Sequence, residues 1–241
     1  MSRRRSLDET HDLLLDTGVR LLLDSGVNVT LGAISLMDVC RAAGLTTAGS
    51  AYKIWETQED YRVALMRHLL REAVPGTEAI ELLTAVLEAP DTDLPDLTEL
   101  IRSVAAANAT DSIANEASPV YLALWLAAQH DPVLADELYT ADVELIDAYG
   151  AMYDALVTRY DHDWVPPFNG RLLAVSLSAL VEGLDLRSRA TPALVNEPLV
   201  RPTGPDGADE EWHLFACGVE ALIHTFTRPR CAGESHERQR S

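Results

Sequence analysis

The 241-residue chain is 47% apolar and only 6% aromatic, with Leu and Ala dominant, which excludes a disordered chain and favours helix over sheet. It carries 38 acidic against 19 basic residues, a formal net charge of −19, so attraction to polyanions through overall charge is excluded. Cys40, Cys217 and Cys231 are odd in number, far apart and without metal-ligand spacing, which points to reduced thiols rather than a disulfide framework.

Helix signals then follow one another almost without interruption. Asp8, Glu9, Asp12 and Asp16 break the apolar stretch that follows Arg3, Arg4 and Arg5, so no signal-peptide core is present. No apolar run reaches 18 residues, and the expected setting is soluble and cytoplasmic. A first helix is predicted from Leu7 to Asp24, stopped by Ser25-Gly26. Ser35 caps a second through Ala42, Gly44 supplies a turn, and a short helix runs from Thr47 to Ile54. Thr57 caps a fourth that reaches Ala73 and ends at Pro75-Gly76.

Beyond that junction, helices are predicted over Thr77–Ala89 and from Asp96, a capping-box start with Glu99, to Ala117. Ser118-Pro119 and Asp131-Pro132 each pair a cap with Pro at the first helical position, and the second opens a run to Tyr160. DHDWVPPFNG is read as a loop, residues 171–190 as a strongly apolar helix, 191–210 as a long loop and 211–226 as the last helix. The tail from Arg228 is expected to fray. No segment reads as a strand, so the fold expected is all-α, with an N-terminal helix-turn-helix domain over 1–73 and a larger helical domain over 74–241.

The charge is divided accordingly. Residues 1–71 hold nine basic and nine acidic residues, so the entire negative excess lies after residue 71. Within the neutral part, residues 35–55 carry what a helix-turn-helix needs. Val39, Ala42 and Ala43 can pack two helices, Gly44 tolerates the turn, and Leu45 plugs its underside. Thr46, Thr47 and Ser50 place short hydrogen-bonding groups where base edges would lie, with Tyr52 and Lys53 a turn later within reach of phosphates. Ser35 leaves helix N–H groups available to an anion. Arg3, Arg4 and Arg5 read either as a solvated terminus or as an arm reaching a groove or backbone. Tyr52 is either a phosphate contact or a half-buried surface residue, and Trp55 belongs to the core.

These residues resemble the TetR (tetracycline-repressor-like) family of bacterial transcriptional regulators. Its pattern T-x-x-x-I-A-x-x-A-G-V-S, a short recognition helix ending L-Y-x-H-F and a following Pro/Ser-Lys-Glu are met by Ser35, Val39-Cys40, Ala43-Gly44-Leu45-Thr46, Ala51-Tyr52-Lys53-Ile54-Trp55 and Thr57-Gln58-Glu59. The resemblance covers roughly residues 7–73. It departs from the pattern in a Gly44–Tyr52 segment one residue longer and in a longer link from Gly26 to Ser35. Ile54 replaces a common His, and Gln58 a common Lys that the family sets against phosphates. The resemblance implies a homodimeric, ligand-responsive regulator, more readily a repressor, that binds double-stranded operator DNA and is released by a small effector. It also implies a dimer interface built by residues 172–192 and the last helix.

In the larger part, Tyr121 with Trp125 and Tyr149 with Tyr153 are each four apart on a predicted helix. Such pairs either pack in a core or line an effector pocket, apolar with a few polar tips. Asp161, His162 and Asp163 lack a partner at ligand spacing, so no metal is expected. There is no P-loop around Lys53, the sole lysine, and no Gly-x-Ser-x-Gly or Cys-His signature. No catalytic residue, cofactor or membrane partner is therefore expected. The rival class is an all-α small-molecule-binding or protein-interaction module whose helix-turn-helix no longer binds DNA.

Overall fold

A computed structural model of the chain describes residues 6–25, 34–45, 48–73 and 77–230. The sequence expectations for Arg3, Arg4, Arg5, Thr46 and Thr47 lie outside the described residues. The helices are α1 (Leu7–Ser25), α2 (Leu36–Ala42), α3 (Gln58–Ala73), α4 (Thr77–Glu88) and α5 (Leu97–Ala114). They continue as α6 (Ser118–Ala128), α7 (Pro132–Arg159), α8 (Gly170–Ala190), α9 (Pro192–Val195) and α10 (Leu214–Phe226). Four three-residue strands accompany them: β1 (His162–Trp164), β2 (Leu199–Arg201), β3 (Glu210–Trp212) and β4 (Thr227–Pro229).

The helix starts follow from local hydrogen bonding. Ser6 and Glu9 form a reciprocal box at α1, with Ser6 N–H to Glu9 Oε2 at 2.8 Å and Glu9 N–H to Ser6 Oγ at 3.0 Å. Thr57 and Asp60 repeat it at α3, at 2.9 and 3.0 Å. Asp131 Oδ1 accepts the N–H groups of Val133 and Leu134 ahead of α7, and Asn169 Oδ1 accepts that of Leu172 at α8. Asp96 Oδ2 caps α5 through the Thr98 N–H at 2.9 Å. At α6 the expected Ser118 cap is replaced: Ser118 is already helical, and Asn115 Oδ1 accepts the Ala117 N–H at 2.8 Å.

The chain forms two compact units, one from residues 1–74 with 115–142 and one from 75–114 with 143–241. The division at 73/74 read from the sequence falls beside the first boundary, and residues 115–142 group with the N-terminal helices as well. The first unit has one core, in which Leu14, Leu15 and Leu22 of α1, Leu36 and Val39 of α2, and Tyr61, Leu65, Met66 and Leu69 of α3 are buried with Leu124 and Leu138. Each such side chain contributes about 1.5–3 kcal/mol on burial. Tyr61 donates its hydroxyl to the Leu14 carbonyl at 3.2 Å. That approach depends on Gly18, because a Cβ there would lie 2.3 Å from the Tyr61 hydroxyl oxygen and 2.7 Å from Leu65 Cδ1.

In the second unit, α5, α8 and α10 enclose Ile101, Leu173, Leu177, Phe215, Ala216 and Val219, while Leu83, Val86, Leu100 and Leu156 form a smaller cluster. Two antiparallel ribbons correct the expectation of no strand. β1 pairs with β4, His162 opposite Pro229, and β2 pairs with β3, Leu199 opposite Trp212. The last helix consequently begins at Leu214 rather than Glu211, because Glu210–Trp212 is spent on the second ribbon. Of the tail expected to fray from Arg228, residues 228–230 are held, with Arg230 bonding to Asp163 at 3.0 Å and donating its backbone N–H to the Asp161 carbonyl at 2.8 Å, while 231–241 lie outside the described residues. α5 stops at Ala114, three residues short of the expected end.

Candidate nucleic-acid interface

The turn after α2 is built by the residues the sequence singled out. Ala43 caps the helix, Gly44 takes φ +71°, and Leu45 follows. Gly44 N–H reaches the Arg41 carbonyl at 3.1 Å and Leu45 N–H the Cys40 carbonyl at 2.9 Å. These are the two bonds of a Schellman motif, and the half-buried Leu45 packs on the core beneath it. Glycine is the residue that reaches this φ without a Cβ penalty.

The second helix of the motif is shorter than the sequence suggested. Among the described residues, 48–50 form a turn and Ala51–Lys53 a single 3₁₀ turn, in place of a helix from Thr47 to Ile54. Gly49 and Ser50 are weak helix formers, and they occupy the segment that carries the extra residue. The turn is nonetheless fixed. Tyr52 N–H bonds the Ala48 carbonyl and Trp55 N–H the Ala51 carbonyl, both at 3.0 Å. Ala51 and Trp55 are buried, as expected for Trp55, which stacks on His11 at 5.2 Å and meets Tyr61 edge-on at 5.0 Å.

That anchoring turns Tyr52 and Lys53 outward. Tyr52 is 46% exposed, Lys53 is exposed, and Ser50 is half-buried. Among the described residues of 34–62, Lys53 is the one cation without an ion pair, since Arg41 pairs with Asp38 at 2.7 Å and Arg62 with Glu59 at 3.3 Å.

The start of α2 is more occupied than the sequence suggested. Ser35 accepts the Asp38 N–H at 3.1 Å and donates its hydroxyl to Asp38 Oδ2 at 2.5 Å. That hydroxyl, with Arg41, holds the Asp38 carboxyl below its usual range and therefore anionic. Gln58 Oε1 accepts the Leu36 N–H at 2.7 Å, and its Nε2 donates to the Ile34 carbonyl at 3.2 Å. The residue noted in the sequence as a missing cation is thus the clamp that joins α3 to the start of α2. Its type alone carried no signal of that contact.

The four aromatic residues read as pocket candidates fall in different units. Tyr121 and Trp125 of α6 meet edge-on at 6.1 Å against the first core, and the buried Trp125 Nε1 has no hydrogen-bond partner among the described residues. Tyr149 and Tyr153 of α7 stack at 6.3 Å in the second unit, where burial pushes both hydroxyls above their ordinary pKa. Asp161 and Asp163 are engaged by Arg230, and no metal-holding cluster of His, Cys, Asp or Glu occurs among the described residues. No helix among them is long and apolar enough to cross a membrane.

No protein-family model and no curated protein matches the chain. Solved structures do. A TetR-family transcriptional regulator from Cytophaga hutchinsonii superposes with a TM-score of 0.59 at 19% identity, over 93% of this chain and 98% of the other. A protein from Mesorhizobium loti described as a TetR-family regulator gives 0.62 at 11% identity, over 93% and 100%. A protein from Saccharomonospora viridis described as a transcriptional regulator, in complex with choline, gives 0.54 at 16% identity, over 92% and 99%. The chain has the fold of TetR-family transcriptional regulators.

Proposed function

We propose that the protein is a homodimeric transcriptional regulator, acting as a repressor, that binds operator DNA through residues 35–55 and is released by a small effector. The observation that carries this reading is the outward pair Tyr52–Lys53, held by the buried Ala51–Trp55 side of a turn that follows a Schellman-capped helix. In this reading Ser35 and Ser50, with Arg3, Arg4, Arg5, Thr46 and Thr47, complete the DNA-facing set, with residues 1–73 as the DNA-binding part and 74–241 as the effector and dimerisation part.

Dimerisation is supported by α8. Leu172, Val175 and Leu186 are exposed at near-heptad spacing, and Leu214 is exposed at the start of α10. A row of apolar residues on a helix face is a surface that a second copy can bury. Two recognition segments about 34–36 Å apart would then enter successive major grooves, and an effector favouring another separation would release DNA by its differential affinity. Tyr121, Trp125, Tyr149 and Tyr153 remain the effector candidates. The choline complex of a protein with this fold supports a cationic effector, and so does the acidic excess beyond residue 71.

Asp38 and Gln58 favour a second reading, a small-molecule or protein-interaction module without DNA binding. One puts a carboxylate on the exposed first turn of α2, and the other occupies that helix's first N–H. Fluorescence anisotropy against DNA flanking the protein's own gene, beside scrambled DNA, separates the two. A protected two-fold-symmetric site supports the regulator. Equal weak binding, followed by a random-site selection that enriches nothing, supports the module.

A further inference from the structure

The chain holds 18 arginines and a single lysine, Lys53. The two side chains differ in reactivity as well as in number. A guanidinium stays protonated in a protein, whereas a lysine ε-amine loses its proton reversibly and can then attack an activated acyl group. Acylation directed at side-chain amines therefore has one target in this protein, and that target lies in the segment read as DNA-facing.

The structure leaves this amine open to a reagent. Lys53 ends the 3₁₀ turn Ala51–Lys53, where its backbone N–H reaches the Ser50 carbonyl at 3.3 Å. Ala51 and Trp55 are buried, while the Lys53 side chain is exposed beside Tyr52. It makes no ion pair among the described residues, whereas Arg41 and Arg62 are engaged by Asp38 and Glu59. The local charge balance is narrow. Residues 34–62 hold four acidic and three basic residues, a net of −1 that acylation of Lys53 would make −2. An acylated amine loses its positive charge and with it the capacity for an ion pair.

We propose that Lys53 is an acylation site and that its modification by an acyl phosphate switches off operator binding. The effect on DNA rests on the regulator reading; the reaction at Lys53 does not. In the step, the neutral ε-amine attacks the acyl carbon and a C–N bond forms. The C–O bond to phosphate breaks, inorganic phosphate leaves, and the amine proton passes to solvent, with no change of oxidation state. The phosphate of the donor is the kind of anion that the Tyr52–Lys53 pair meets on DNA in that reading, so operator and donor compete for one place. A homodimer carries two such lysines. Losing both phosphate contacts makes the slope of log K against log salt shallower by about 1.8 and lowers affinity about thirtyfold at about 0.15 M salt.

The test treats the full-length protein with acetyl phosphate, locates the acetyl group by mass spectrometry, and measures anisotropy on operator obtained by random-site selection. Lys53→Arg, compared with itself before and after treatment, reports any effect of acetylation at the N-terminal amine or the cysteines. The expected result is acetylation of Lys53, slowed by saturating operator and not by scrambled DNA. Treated wild type should lose about thirtyfold in affinity with the shallower slope, and treatment should leave the affinity of Lys53→Arg where it was. Lys53 left unmodified, Lys53 acetylated with affinity unchanged, or an equal loss on treating Lys53→Arg would each overturn the switch alone. Untreated wild type that selects no operator would overturn the regulator reading and the switch with it, a result that the treated samples cannot mimic.

Discussion

Gln58 holds the backbone N–H of Leu36 at 2.7 Å, so the first helical amide of α2 is bonded inside the protein by a residue 22 positions away. The same side chain donates to the Ile34 carbonyl. Gln58→Ala leaves a buried amide without a partner, and the expected loss is about 1–3 kcal/mol in chemical denaturation. Gln58→Lys, which restores the charge common in the family pattern, should lose a similar amount because lysine offers no acceptor. Unchanged midpoints in both variants would show that the clamp contributes nothing.

Gly18 sets how closely α1 and α3 approach. A methyl group there meets the Tyr61 hydroxyl and Leu65, so Gly18→Ala should destabilise by about 1–3 kcal/mol through overpacking. Tyr61→Phe removes the nearest atom at the expense of the bond to the Leu14 carbonyl. In a double-mutant cycle the two changes should cost less together than the sum of their separate effects. Additive losses would place the strain elsewhere.

Alkaline pH tests the buried phenols. Tyr61 and Tyr153 have pKa values raised chiefly by burial, above the ordinary value of about 10. A raised folded-state pKa means the folded protein retains protons that the unfolded chain releases. Stability is therefore fully present below pH about 10 and falls as pH rises beyond it. Of the seven tyrosines, these two should ionise only with unfolding when tyrosinate absorbance and circular dichroism are followed together. Complete ionisation of all seven in a still-folded protein would contradict the burial.

The helices were legible because their signals are local: caps at Ser35, Thr57 and Asp131, the Gly44 turn, and apolar spacing that places Leu14, Val39 and Leu65 inward. The two ribbons were not, since three residues are too few to display a period of two. The partners of β1 also lie some 65 positions away, as in His162 opposite Pro229. The outward pair Tyr52–Lys53 was readable from the helix-turn-helix spacing. The Gln58 clamp was not, because it joins residues that only tertiary packing brings together.

Lys53 is exposed and makes no ion pair among the described residues, and Tyr52 stands beside it. Replacing either should leave the unfolding free energy within about ±0.5 kcal/mol of wild type, the scatter of surface substitutions. Dimerisation should likewise be unchanged, as sedimentation would report.

The most direct test of DNA binding is a salt series of anisotropy measurements on the operator recovered from flanking DNA or selection, comparing wild type with Tyr52→Ala and Lys53→Ala. The regulator reading predicts loss of specific binding in Tyr52→Ala. It also predicts, for Lys53→Ala, a slope of log K against log salt shallower by about 1.8, one phosphate contact from each of the two protomers. Folded, dimeric variants that bind the operator as tightly as wild type, with an unchanged slope, would contradict it.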